Sequence, residues 1–346
     1  MKLCPTVFPP KLTLTEWRVL EAIPKALTLR EVARRSGVPK TTVHRLYREV
    51  FPRNIRVRFV PDFRELNLIP LAVGLPGEAW LKYLPPYTRS YRKAYGVGRI
   101  IKLVAAYVPP GFLDRYLSEL PEPLFIVRGF EYEMWRPNPA VMFVENSGEL
   151  VPVLPSLLSA YAGSELEEWG GGLKCPDPID LAILFPKFQV DAFTPLREAA
   201  SLLASHGVRA PSHVLSYHFR RHVVARLWRY NSITMYCDVG VMPVKAFYLV
   251  GREAHNAARA LATLPFTFSA IMERGSALVV GQYPPSYYEI IYRLLSQVDA
   301  EAPLGELVFD PSPRSLRVWW MNPLELTVDG EWAWPEAARV RVHVDA

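Results

Sequence analysis

The side chains best equipped for chemistry in this 346-residue chain fall in two short basic stretches. A helical spacing sets Lys40, Thr41, Thr42, His44, Arg45 and Arg48 opposite Val43, Leu46 and Val50. Hydroxyls and cations arranged this way can meet base edges and phosphates in a DNA major groove. Ser212, His213, Ser216, His218, Arg220 and Arg221 offer a second face, basic but different, so the two would not read identical sequence. Four of the seven histidines lie between His206 and His222, and His218 and His222 stand at i, i+4, the spacing of two metal-binding imidazoles on one helical face. No Cys, Asp or Glu nearby in sequence completes such a set, so no metal is expected; DNA contact and a pH-sensitive surface compete for the pair. There is no complete dinucleotide or phosphate loop, Gly96-Val97-Gly98 reading as a turn, and no recognisable Ser, His and Asp nucleophile motif. No catalytic residue, no enzyme activity and no cofactor is therefore expected.

These side chains need elements to hold them. Trp17, Leu20 and Ile23 repeat as one helix that Pro24 ends. Thr28 and Glu31 form a capping box for a second, and Ser36-Gly37-Val38 closes it in a tight turn. Pro39 then occupies the first position of a third helix, where its missing N–H costs nothing. The result is a helix-turn-helix, with residues 39–50 as its recognition helix. From Arg53 to Val60, Arg56 and Arg58 alternate with Ile55, Val57 and Phe59, predicting a wing or connecting strand with a basic outer face able to contact phosphate.

Charge follows the same map. Lys11 to Glu65 carries 13 Lys and Arg against 6 acids, Arg197 to Arg229 six Arg against one acid, and Glu145 to Asp191 eight acids against two Lys. Clustered rather than averaged positive charge suits a polyanion. Half the residues are hydrophobic, enough for real cores, yet no apolar run reaches the roughly 18 residues of a membrane helix. The N-terminus, with Pro5, Pro9 and Pro10, has no signal-peptide hydrophobic region. Three scattered cysteines give neither a disulfide framework nor a zinc ribbon. A cytoplasmic protein follows, and 30 Arg against 10 Lys, ten Asn plus Gln and 33 Pro lean toward a thermophilic source.

The chain also echoes itself. VAAYVPPGFLDRYLSEL (104–120) matches VVGQYPPSYYEIIYRLL (279–295), and WRPNPAVMFVENSGE (135–149) matches WWMNPLELTVDGE (319–331). Leu29-Arg30-Glu31 answers Leu196-Arg197-Glu198, and Ser36-Gly37-Val38 answers His206-Gly207-Val208. Four matches in one order imply a duplication. The expected class is α+β, a tandem duplication of a winged helix-turn-helix plus a ferredoxin-like βαββαβ domain. The expected domains are head 1 at 1–60, body 1 at 61–150, an acidic linker at 151–175 ending in a flexible Gly170-Gly171-Gly172 joint, head 2 at 176–225 and body 2 at 226–346. In body 1 the strands are Ile69–Leu75, a short one before Arg99, Arg99–Val108 and Leu124–Trp135, with a helical or irregular crossover over Glu78–Ala94. Body 2 has strands at Val244–Val250, Ser276–Gln282 and from Glu306 to Trp320. Tyr287, Tyr288, Tyr292, Trp319 and Trp320 fit core and interface packing first.

A helix-turn-helix head, a basic connecting strand and a βαββαβ body resemble the Lrp/AsnC-type (leucine-responsive) regulators and their archaeal winged-helix relatives. The carrying residues are VRFVPDFRELNLIPLAV (57–73) and DPIDLAILFPKFQVDAFTPLREAA (177–200). The resemblance implies double-stranded DNA as partner, bodies that pair sheet to sheet, and a small-molecule effector near that pairing, placed by it at Tyr95, Gly96, Gly98 and Arg99 and at Arg274 and Gly275. Two units in one chain would form a built-in pseudo-dimer reading two half-sites, with further association left open. Head 2 departs from the pattern by three extra residues before Gly207 and by Pro211 at the start of its third helix, so it could instead be a degenerate head that packs or grips phosphate. Two alternatives stand beside the regulator. One is a sequence-tolerant architectural DNA binder. The other is an enzyme, because the siroheme decarboxylases of archaeal haem synthesis share the paired architecture; His222, Arg226, Arg229 and Tyr230 would then hold a tetrapyrrole, although the chain has no clear match to that family's His-Asn-type motif.

Overall fold

The structure is a computed structural model that describes residues 10–159, 165–312, 316–318, 322–336 and 340–341. Helix α1 (Leu14–Ala22) begins at a reciprocal box in which the Thr13 N–H donates to Glu16 Oε2 at 2.7 Å and the Glu16 N–H to Thr13 Oγ1 at 3.2 Å. Helix α2 (Leu29–Ser36) is capped by Thr28, but Glu31 takes its return bond from the Leu27 N–H, so the expected box is open by one residue. Gly37, at φ 68°, ends α2 in the left-handed conformation that a missing Cβ permits. In helix α3 (Lys40–Arg45) Pro39 is the N-cap rather than the first helical residue. The helix continues through wider π turns at Leu46–Val50, burying Val43, Leu46 and Tyr47 while Val50 is only half-buried. Strand β1 (Ile55–Pro61) follows.

The next stretch supplies β2 (Ile69–Pro76), β3 (Tyr83–Leu84), β4 (Thr88–Gly96), β5 (Arg99–Val108), helix α4 (Leu113–Ser118), β6 (Phe125–Arg128) and β7 (Glu131–Glu133). The crossover over Glu78–Ala94 holds no helix; Pro85 and Pro86 cannot donate backbone bonds, and the chain enters β4 directly. The single strand expected over Leu124–Trp135 bends at Gly129, where a Cβ would sit 2.6 Å from the Pro70 carbonyl oxygen. After β8 (Met142–Val144), β9 (Leu150–Pro152) and α5 (Leu154–Ser159), the glycine run expected as a flexible joint is tied down, the Asn67 amide donating to the Gly172 carbonyl at 2.6 Å.

Three more helices follow: α6 (Pro178–Gln189), α7 (Leu196–Ser205) and α8 (Ser212–His218), the last running through π turns at Phe219–Leu227 into β10 (Trp228–Met235). Then come β11 (Lys245–Val250), α9 (Ala254–Ala262), β12 (Thr267–Glu273), β13 (Ser276–Gly281), α10 (Tyr288–Leu295), β14 (Glu306–Phe309) and β15 (Leu316–Val318). Strand β12 has no counterpart in the sequence reading. Trp319 and Trp320 lie outside the described residues.

One sheet runs in the order β6–β2–β5–β4–β14–β11–β13–β12–β7, with β15 also on β4. Since β6 and β7 are two arms of one bent segment, both ends of the sheet are the same piece of chain and the sheet curls round on itself. Phe125 on β6 and Tyr248 on β11, far apart in strand order, stack at 4.0 Å across the inside of the curl. The two halves share detail. Tyr87 (φ 72°) precedes Thr88 and Phe266 (φ 77°) precedes Thr267, and in each half the register slips at the next residue, Arg89 or Phe268. Thr88 Oγ1 is 2.7 Å from the Tyr116 hydroxyl, and Thr267 Oγ1 is 2.8 Å from that of Tyr283.

Gly74 on β2 faces the Phe125 ring, and a Cβ there would lie 2.2 Å from it. Because Tyr248 blocks the ring from behind, Gly74→Ala is expected to cost about 1–3 kcal/mol in urea unfolding, and Phe125→Leu in the same chain to recover part of that loss. A neutral Gly74→Ala would show that the interior is looser than this packing requires.

Candidate nucleic-acid interface

In head 1, Lys40, Thr41, His44, Arg45 and Arg48 are exposed and Thr42 is half-buried. The face is held outward because Val43, Leu46 and Tyr47 anchor the other side of the helix. Arg56, one strand further, is exposed and lies over the Tyr236 ring at 4.9 Å, a partner contributed by the residue just after β10. Arg58 corrects the expectation of a basic outer face. It is half-buried, and burial, then the charge of Arg89, lowers its pKa from the ordinary guanidinium value.

The segment expected as a second head has Ser212, His213, Arg220 and Arg221 exposed and Ser216 half-buried. An open groove of about 650 Å³ is lined by His213, Ser216, Tyr217, Arg220 and Arg221. Behind this face stands a residue that local spacing could not supply. Asp180 on α6 is buried, and its two oxygens lie 2.9 Å from His218 Nδ1 and 3.1 Å from His222 Nδ1. The carboxylate missing from the neighbourhood of the histidines is 38 residues upstream. Packing α6 against the helix that carries the histidines, as the expected second helix-turn-helix would require, is the signal that would have found it. Burial raises the Asp180 carboxyl above its usual range, against the hydrogen bonds and charges of the two imidazoles.

Head 1 and the segment expected as a second head are locked together. Strands β1 and β10 pair antiparallel from Ile55 opposite Met235 to Pro61 opposite Trp228. Tyr47 donates to Asp191 Oδ2 at 2.6 Å, and the buried Asn231 amide donates to the carbonyls of Ile23 and Ala26 at 3.1 and 2.5 Å.

Residues 18–49 match the IclR helix-turn-helix domain. The matched span runs from within α1 to the π turns after α3, and it identifies a helix-turn-helix DNA-binding domain there. Two solved structures cover 85% of the chain at 10% and 11% identity, "Crystal structure of the siroheme decarboxylase NirDL" and the same protein "in co-complex with iron-uroporphyrin III analogue", with TM-scores of 0.42 and 0.39; the likeness covers 89% and 90% of those chains. No curated protein matches. No described helix is long and apolar enough to cross a membrane.

The residues expected at an effector site are not brought together. Tyr95, Gly96, Gly98 and Arg99 form the β4–β5 hairpin, Arg274 and Gly275 the β12–β13 hairpin, and strands β14 and β11 lie between. Tyr95 instead donates to Asp310 at 3.1 Å. A cavity of about 90 Å³ lies elsewhere, under α6, walled by Phe63, Tyr87, Tyr107, Phe188 and Trp332 with Arg89 at its edge. Arg58 and Arg92 are close enough to Arg89 for their charges to interact, and burial, then Arg89 and Arg58, pull the Arg92 pKa down to about 10. The side chains considered for holding a tetrapyrrole are otherwise engaged. Arg226 donates to Glu65 at 3.0 Å, Arg229 pairs with Glu133 at 2.6 Å, buried Tyr230 donates to Glu133 at 2.6 Å, and His222 meets Asp180.

Helix α6 carries a buried amine. Lys187 on α6 donates to the carbonyls of Ala192 and Thr194 at 3.2 and 2.7 Å, and burial lowers its pKa to about 8. An unfolded lysine titrates near 10.4, so between about pH 8 and 10 the unfolded chain holds a proton that the folded chain has lost. Stability contributed by this group therefore rises with pH through that window and is lowest below it. Urea unfolding at pH 7.5 and 9.5 should show the wild type gaining on the order of 1–3 kcal/mol relative to Lys187→Met; parallel pH profiles would contradict the buried amine.

Proposed function

We propose that the chain is a DNA-binding transcription regulator of Lrp/AsnC type that works as a pseudo-dimer within one polypeptide. The observation that carries this reading is the row of exposed Lys40, Thr41, His44, Arg45 and Arg48 on the third helix of the matched helix-turn-helix. The pairing of β1 with β10 supports the pseudo-dimer, because each strand leaves the third helix of its own head and the pair fixes one helix relative to the other. We infer that the two halves are duplicated heads and ferredoxin-like bodies. Their strand orders, β6–β2–β5–β4 and β14–β11–β13–β12, are the same when each half is counted along the chain, and each places an aromatic residue of positive φ and then a threonine just before a register slip. The effector site moves from the two hairpins to the cavity beside Arg89, whose aromatic walls and neighbouring Arg58 and Arg92 suit a small acid with an apolar body.

In this mechanism Arg45 and Lys40 reach base edges or phosphates, and Arg48 and Arg56 grip phosphate. On head 2, Ser212, His213, Ser216, Arg220 and Arg221 present a second, non-identical reading face. Fluorescence anisotropy against genomic fragments, with the bound fragments sequenced, should yield two dissimilar half-sites about one helical turn, or a multiple, apart. Arg45→Ala should cost about 1–3 kcal/mol and relax one position, whereas Arg56→Ala should weaken every sequence alike and flatten the salt slope by about 0.9. Arg58→Ala should leave that slope unchanged. Equal, sequence-independent losses at Arg45 and Arg56 would reduce the protein to a sequence-tolerant binder, and absence of binding at low salt would remove DNA altogether.

A further inference from the structure

The cluster behind the second reading face has the composition and spacing of a metal centre. Asp180 comes from α6, while His218 and His222 come from successive turns of the third helix, and their ligand atoms all lie within 4.8 Å of one another. A tetrahedral zinc ion with bonds near 2.0–2.1 Å holds its donors roughly 3.3 Å apart. The separations of 2.9 and 3.1 Å run to two different Asp180 oxygens, and with all the ligand atoms within 4.8 Å of one another, small side-chain rotations would bring the three donors round one ion.

We propose that Asp180, His218 and His222 bind one divalent transition-metal ion of the zinc, cobalt and nickel class. The donor set selects the class. Two imidazoles disfavour magnesium and calcium, which prefer oxygen, and the site lacks the thiolate pair that would favour a softer ion. The charge balance agrees. The Asp180 side chain is 6% exposed, and a carboxylate removed from water needs compensating charge. Apart from the two histidines, the cations nearby do not supply it, since Arg226 is spent on Glu65 at 3.0 Å and among the described residues no other basic group ion-pairs with Asp180; imidazoles left neutral by a metal would pass that role to the ion. Asp177 stands 3.9 Å from His218 Nδ1, adding negative potential on the same side. There is also room for the remaining ligand. A cavity of about 270 Å³ opens beside the cluster, with Asp177, Asp180 and His222 in its wall, so a fourth position can be filled by water or by Asp177.

Such an ion would join α6 to the third helix by coordinate bonds just below Arg220 and Arg221, setting how far that helix stands out from the head. The metal site itself rests on the side-chain geometry and not on the DNA reading.

The test uses the full chain, stripped with a chelator and dialysed, then titrated with zinc by calorimetry and with cobalt by visible absorption. One zinc per chain, tetrahedral cobalt bands displaced by zinc, and a rise in melting temperature with zinc are expected. His222→Ala, at a position 38% exposed in the side chain, should keep the circular dichroism of the wild type and lose at least about 100-fold in affinity. His213→Ala, on the same helix outside the cluster, should bind as the wild type does. No stoichiometric zinc in the wild type, or equal affinity in the wild type, His222→Ala and Asp180→Asn, would overturn the proposal and leave a hydrogen-bonded Asp and His cluster without an ion.

Discussion

The antiparallel pairing of β1 with β10 is the contact on which the arrangement of the molecule turns. Each strand is the direct continuation of a third helix, so the backbone ladder that joins them also fixes the two exposed helical faces relative to each other. A ladder of backbone bonds with Val57, Phe59, Ile233 and Met235 buried along it is stiff, because slipping by one residue would turn those side chains to the opposite face. Asn231 reinforces it from the β10 side by satisfying two carbonyls at the end of the first helix of the other head. Tyr47 and Asp191 do the same between the third helix of head 1 and the turn after α6.

The curled sheet depends on a different device. A flat sheet of this many strands would expose two edges, and exposed edges invite pairing with other chains. Here one bent segment, β6 and β7, serves both edges, and the bend is possible because Gly129 lets the backbone approach Pro70. The interior is then filled by small residues under large ones, Gly74 beneath Phe125 and Phe125 against Tyr248.

Much of this was legible in the residues. The helical spacing of Trp17, Leu20 and Ile23, the Thr28 cap, Gly37 and the alternation after Arg53 mark local structure, which sequence encodes through short-range sterics and hydrogen bonding. The Pro pairs at 109/110 and 284/285 mark two strand-to-helix turns that the structure places at matching points. What failed was long-range. Arg58 looks outward by alternation, yet it is half-buried and within electrostatic reach of Tyr107 and Tyr132 from strands far along the chain. The same distance hid Asp180 from its histidines. The hairpins holding Tyr95 and Arg274 both carry residues that the resemblance implies for an effector, and strand order, which no local pattern specifies, keeps them apart.

The register slip that both halves share falls on an arginine in one and a phenylalanine in the other, Arg89 in β4 and Phe268 in β12. A bulged residue is turned out of the regular alternation of its strand, so these two positions aim unlike groups from equivalent points of the curl. Two identical subunits could not do this, because any change in one would appear in both. In a fused pair the halves would be free to drift apart, and the duplication proposed above would account for an arginine at one slip and a phenylalanine at the other. Were the proposed small acid to bind beside Arg89, one molecule per polypeptide would be expected, and cooperativity between equivalent sites, which symmetry normally provides, would be given up within the chain.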